Sequence, residues 1–176
     1  MNPFEPVFQN VYGLPCWGVQ WDANLNLSMN FGQPHLHIRE PHQSNAVSEQ
    51  VRALAAYRHV TVRGAWFLWI EQAYWKLSLH DFDAVTGAHS YRRMQMGLAR
   101  LDGQRLLQVM INPRTAATTF TFDLGGLLNV RRFGASTPGE LWTLYTPMNS
   151  ILTVRGDGHF WSGPQGGPEQ WEPLMA

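Results

Sequence analysis

LNLSMNF, residues 25–31, alternates strictly: Leu25, Leu27, Met29 and Phe31 against Asn26, Ser28 and Asn30. Successive side chains of an extended chain point to opposite faces, so this pattern predicts a strand with one buried and one wet face. Upstream, Trp17-Gly18-Val19-Gln20-Trp21 reads as a second strand, joined through the turn-forming Asp22-Ala23-Asn24. Residues 17–31 are therefore expected to form a hairpin. GQPHLHIREP, residues 32–41, follows a Gly/Pro turn, and 35–40 reads as a third strand.

The same period continues along the chain. Residues 59–63, 65–70 and 74–79 read as strands, and the middle one is apolar on both faces, as a central strand would be. Strands are also expected over 105–112, 118–124, 127–133, 141–146, 151–155 and 159–161. Two segments break to helical spacing. Residues 46–58 place Ser48 as an N-cap before Val51, Leu54 and Ala55. Ser90 opens a helix of about a dozen residues carrying Met94, Leu98 and Leu101 on one face and stopped by Gly103. Residues 162–176, SGPQGGPEQWEPLMA, are rich in Pro and Gly and read as a loose tail.

These elements predict an α+β fold, predominantly antiparallel β, barrel- or sandwich-like, with one or two packed helices. A chain of 176 residues suits a single compact domain, here 1–161. A domain of this size buries roughly 70% of the surface its unfolded chain exposes, enough to fold without staples. TVRG occurs twice, at 61–64 and 153–156, and Leu36-His37-Ile38-Arg39 is answered by Leu128-Asn129-Val130-Arg131 at the same offset. That leaves open two similar β units, 17–70 and 105–161.

Composition excludes several roles. The formal net charge is zero, so no basic excess exists to neutralise phosphates and no nucleic-acid partner is expected. No window approaches eighteen unbroken apolar residues, so no membrane partner is expected. The opening MNPFEPVFQNVYGLPCWG lacks both a basic n-region and an apolar h-region, and a single cysteine, Cys16, forms no intrachain disulfide, so the expected compartment is the cytoplasm. Cys16 reads as a buried, inert thiol. One lysine stands against twelve arginines, beside eight tryptophans. Most cations are thus planar forks able to stack on rings and to grip carboxylates.

His35, His37 and Arg39 share one face of their strand. His-x-His on a strand can hold a metal, as in some cupin-like barrels, but no carboxylate follows at the matching spacing and Arg39 brings a positive charge to the same face. The reading here is a wet, cationic strand face, with no metal and no cofactor expected. His59, His80, His89 and His159 are scattered. Asp81-x-Asp83 reads as a turn, and so does Arg155-Gly156-Asp157-Gly158. Arg63 and Arg155, one in each TVRG and each beside a glycine, are expected to fix turns by bonding carbonyls, with an anion contact as the alternative. Trp66, Trp69 and Trp75 read as core. Trp17 and Trp21, four apart, share a face if their segment is a strand; core packing is the first reading for them and an exposed stacking platform for a ligand or partner the alternative.

No phosphate loop, dinucleotide fingerprint, nucleophile elbow or paired-cysteine motif is present, so no catalytic residue is assigned. Abundant Trp and Arg without an acid–base constellation point to a non-enzymatic binding module. It would take a small amphipathic ligand or a protein partner through Trp17, Trp21, His35, His37 and Arg39. The alternative is a small barrel enzyme, a lyase, isomerase or hydrolase, in which His35 and His37 work with Glu71 or Asp123. A flat-surfaced structural partner is a third option. The oligomeric state is open, a homodimer included.

Overall fold

A computed structural model describes residues 4–22, 24, 26–71, 73–134 and 139–174. In it the alternation of the opening stretch is met in part. Leu27, Met29 and Phe31 are buried and Ser28 is half-buried, but Asn30, expected on the wet face, is buried as well, its side-chain amide donating to the Trp17 carbonyl and accepting from the Gly64 N–H; Leu25 and the turn residue Ala23 lie outside the described residues.

In chain order the elements are α1 (Glu5–Phe8), β1 (Cys16–Trp21), β2 (Leu27–Arg39), α2 (Glu49–Ala55), β3 (His59–Ile70), β4 (Ala73–Ser78), β5 (Val85–Thr86), α3 (Tyr91–Leu101), β6 (Leu106–Ile111), β7 (Thr118–Phe122), β8 (Leu127–Arg132), β9 (Glu140–Tyr145), β10 (Ser150–Arg155), β11 (His159–Pro164) and β12 (Glu172–Pro173). They form two antiparallel sheets. The first runs β1-β2-β3-β9-β10-β11-β12 and the second β5-β4-β8-β7-β6. Each sheet ends in edge strands, so neither closes into a barrel; the arrangement is sandwich-like.

Aromatic side chains fill the core. Trp142 of β9 meets Phe120 of β7 and Phe8 of α1 edge to face, each with ring centroids 5.9 Å apart. Its indole N–H donates to the Thr118 hydroxyl at 2.8 Å, so the one polar atom of a fully buried side chain is satisfied. Met94, Leu98 and Leu101 of α3 are buried as their spacing requires, and Gly103 follows with φ +91°, the left-handed stop. Beside α3 the buried Cys16 thiol donates to the Leu101 carbonyl, and burial pushes its pKa up to about 12.

The second expected helix is shorter than its pattern. It covers Glu49–Ala55, capped by the Ser48 hydroxyl, and of its apolar residues only Ala55 is buried. The cause is its position. β1 pairs with β2 only along Leu27–Phe31, and β9 pairs with β3 only along Phe67–Ile70. Beyond these, from Pro34 opposite Gly64 to Arg39 opposite His59, β2 and β3 continue as a two-stranded arm with α2 in the connection at its tip. The 35–40 strand is thus the outer half of β2. The strands expected at 59–63 and 65–70 are one element, because Gly64 continues β3 rather than breaking it. Gly64 is required there. A Cβ at this position would sit 2.6 Å from the Phe31 carbonyl oxygen, where β2 bulges between Phe31 and Pro34.

The 162–176 stretch is not loose throughout. It finishes β11, adds β12 at the sheet edge, and packs Leu174 against the core; residues 175–176 lie outside the described residues. The pairing of the two halves also differs. β2 and β3, which carry the first LHIR and TVRG, are neighbours in one sheet, whereas β8 and β10, which carry LNVR and the second TVRG, lie in different sheets.

Candidate functional site

Alternation along the arm sorts its side chains onto two faces. His35 pairs with Arg63, His37 with Thr61 and Arg39 with His59, and cross-strand partners share a face. Further along β3, Ala65 and Phe67 keep the same parity, and Phe67 pairs across to Tyr145 of β9. At the base of the arm these strands and the β9–β10 turn enclose a cleft of about 300 Å³. His35, His37, Arg63, Phe67 and Tyr145 line it, with Asn149 and Gln165 at its margin.

Arg63 is its centre. The guanidinium carbon lies 4.5 Å from the centre of the Phe67 ring and 6.0 Å from that of Tyr145. It is half-buried, and among the described residues no carboxylate pairs with it. Burial works against its charge, and so lowers its pKa from the usual value. His37 is shifted the same way, first by desolvation and then by the nearby Arg63 and His35, so its imidazole holds a proton less well than an ordinary histidine. The Tyr145 phenol is pushed up by burial and by Glu71, partly opposed by Arg63, and remains a hydrogen-bond donor at neutral pH.

The residues expected to bind are therefore partly gathered. His35 and His37 enter the cleft. Arg39 lies farther out along the arm and donates to the Leu54 carbonyl of α2 at 2.9 Å. Trp17 and Trp21 form no common platform. β1 bulges between Trp17 and Gln20, so Trp17 pairs with Asn30 but Trp21 with Leu27, which sit on opposite faces of β2. Trp21 packs on the core and against Tyr91, while the Trp17 indole donates to the Gly32 carbonyl at 3.0 Å.

Among the described residues neither TVRG arginine bonds a carbonyl. Arg63 lies within β3 rather than at a strand end, and Arg155 pairs instead with Asp157, with the Trp171 ring 4.5 Å away. Among the described residues, this cleft does not bring His35 together with the acids of the enzymatic alternative. The cleft is lined by neither Glu71 nor Asp123, and Asp123 accepts from the Arg105 backbone in the other sheet. Among the described residues no group of three or more His, Cys, Asp or Glu side chains is placed to hold a metal ion. No helix among them is long and apolar enough to cross a membrane.

Sequence reasoning missed Phe67, Tyr145, Asn149 and Gln165. Phe67 was legible as the residue four beyond Arg63 on one strand face. The others reach the cleft through the β3–β9 pairing and the β9–β10 turn, which no local pattern encodes.

Comparison with known proteins finds no matching family model, no matching curated protein and no matching solved structure.

Proposed function

We propose that the protein is a binding module for a small amphipathic anion, a carboxylate attached to an apolar or aromatic body, held in the Arg63 cleft. The observation that carries this reading is a half-buried arginine, stacked on Phe67, with no carboxylate partner among the described residues. A guanidinium in this state is short of counter-charge, and a planar carboxylate supplies it through two parallel hydrogen bonds. The Tyr145 hydroxyl and one N–H of neutral His37 add donors. Phe67, Ala65 and Pro147 offer apolar surface to the ligand body. The volume lies at the small end of ligand sites, which suits a compact molecule. Charged donors without a positioned base or nucleophile favour binding over turnover.

Calorimetry with indole-3-acetate and with inorganic phosphate tests the reading. Saturable binding of indole-3-acetate, stronger than that of phosphate and lost in Arg63→Gln, is the expected result. Equal binding by wild type and Arg63→Gln, or no binding of either probe, would remove the cleft as the site.

A further inference from the structure

The arginines divide by what their guanidinium groups meet. Arg58, Arg93, Arg100 and Arg155 pair with carboxylates, and Arg39, Arg52 and Arg105 donate to main-chain carbonyls. Among the described residues Arg63, Arg92, Arg114, Arg131 and Arg132 have neither kind of partner. Arg114, Arg131 and Arg132 line a single cleft of about 460 Å³, which shares no lining residue with the Arg63 cleft. The ends of both sheets build it. β8 ends at Arg132, the β6–β7 loop carries Arg114, and the β10–β11 turn supplies Gly156 and Asp157. Each part is held in place. The Arg131 guanidinium carbon lies 4.4 Å from the centre of the Tyr74 ring. A Cβ at Gly156 would sit 3.0 Å from the Arg132 Cβ, so the turn braces the foot of that side chain. Asn112 fixes the loop: its side-chain oxygen accepts from the Arg114 and Thr115 N–H groups at 2.9 and 3.2 Å, and its own N–H donates to the Ala117 carbonyl at 2.8 Å. The acid on the wall, Asp157, is already matched, since it pairs with Arg155 and lies 3.3 Å from His159 Nδ1.

We infer that this cleft is a second ligand site, and that it takes the phosphoryl group of a small phosphate monoester. Like charges brought together repel, and in a chain of zero net charge a knot of unpaired arginines is a local excess that a bound anion would offset. The number and direction of the cations select the anion. A planar carboxylate is matched by one guanidinium fork. A phosphoryl group carries about two negative charges and three acceptor oxygens that point apart, so arginines can grip it from several sides at once. Here they come from two directions, Arg131 and Arg132 from β8 and Arg114 from the facing loop, with the Thr115 hydroxyl as a further donor. The described lining holds no aromatic ring, so unlike the Arg63 cleft it offers no bed for a flat apolar body. The volume lies within the range of small-molecule sites and leaves room for a compact polar group behind the phosphate.

Calorimetry of the full chain with glycerol 3-phosphate tests this, with malonate as a dicarboxylate control. One glycerol 3-phosphate should bind per chain, more tightly than malonate. Arg114→Gln and Arg131→Gln should each weaken it by ~10-fold or more, as the loss of a charge-assisted hydrogen bond does. Both arginines are exposed, so both variants should keep the native circular dichroism. Arg63→Gln should leave glycerol 3-phosphate binding unchanged, and Arg114→Gln should leave indole-3-acetate binding unchanged, so the two clefts can fail separately. In the amide NMR spectrum, saturation should move Thr115 and Gly156. Absence of saturable binding up to ~10 mM would overturn the inference. So would binding that survives Arg114→Gln and Arg131→Gln together, binding lost in Arg63→Gln, or malonate bound as tightly as the phosphate ester.

Discussion

The chain carries TVRG twice, and the two copies do different things. Both lie in the same sheet, in β3 and β10, and both place a glycine where backbone or Cβ atoms approach closely. Arg155 meets Asp157 two residues on, in a hairpin whose turn ends at Gly158, and Trp171 covers its plane. Among the described residues no carboxylate pairs with Arg63. Its neighbours are His35, His37, Phe67 and Tyr145. The same four residues thus give a neutralised structural arginine in one place and an uncompensated one in the other. A motif fixes which way a side chain points. Its cross-strand partners decide what it can do.

The largest effects test the glycines. Gly64→Ala should lower stability by ~2–3 kcal/mol in chemical denaturation, because the new methyl meets the Phe31 carbonyl oxygen and amide nitrogen, which are backbone and cannot swing away. Gly156→Ala should cost less, about 1 kcal/mol, since its nearest neighbour is the Cβ of Arg132 at 3.0 Å and the next is a Leu141 methyl. Equal losses would show that the arm-base crossing is no tighter than the β10–β11 turn.

Next come the arginines. Arg63→Gln should weaken indole-3-acetate binding by ~10-fold or more with little change in stability, while Arg155→Gln should leave binding intact and cost ~0.5–1 kcal/mol. If both variants bind alike, the contrast between the two sites has no functional meaning.

A pH titration sharpens it further. His37 has a folded pKa below its ordinary value, so the stability it contributes is present above the normal histidine range and is lost as pH falls through that lowered pKa. A bound anion favours the protonated imidazole. Affinity for indole-3-acetate should therefore rise as pH falls through the same window, while the carboxylate stays ionised. His37→Gln should flatten that rise. An unchanged slope would take His37 out of contact with the ligand.

The smallest effect concerns Glu71. Burial, with Glu140 and Asp22 nearby, raises its pKa, so its contribution is full below the ordinary glutamate range and is lost as pH rises through the folded pKa. Glu71→Gln should stabilise the protein by a few tenths of a kcal/mol at pH 7 and by less at pH 4. It should leave ligand affinity unchanged. A large gain in affinity would mean that Glu71 partly neutralises Arg63 after all.

The sequence by itself determined the local structure. Period two over 25–31, Ser48 before Val51, and Gly103 after Leu101 announced a strand and two helices, because each signal is carried by neighbours along the chain. It also put His35 and His37 on one face, which follows from alternation alone. Bulges lay beyond it. The one in β1 separates Trp17 from Trp21, and the one in β2 requires Gly64; both depend on which residue opposes which across a sheet. The open sandwich and the exposed arm were likewise tertiary outcomes, since strand lengths match or outrun their partners only once the partners are known. The cleft shows the division most plainly. His35 and His37 were legible in a run of three residues. Arg63, Phe67 and Tyr145 became their neighbours only through antiparallel pairing that spans more than a hundred residues of chain.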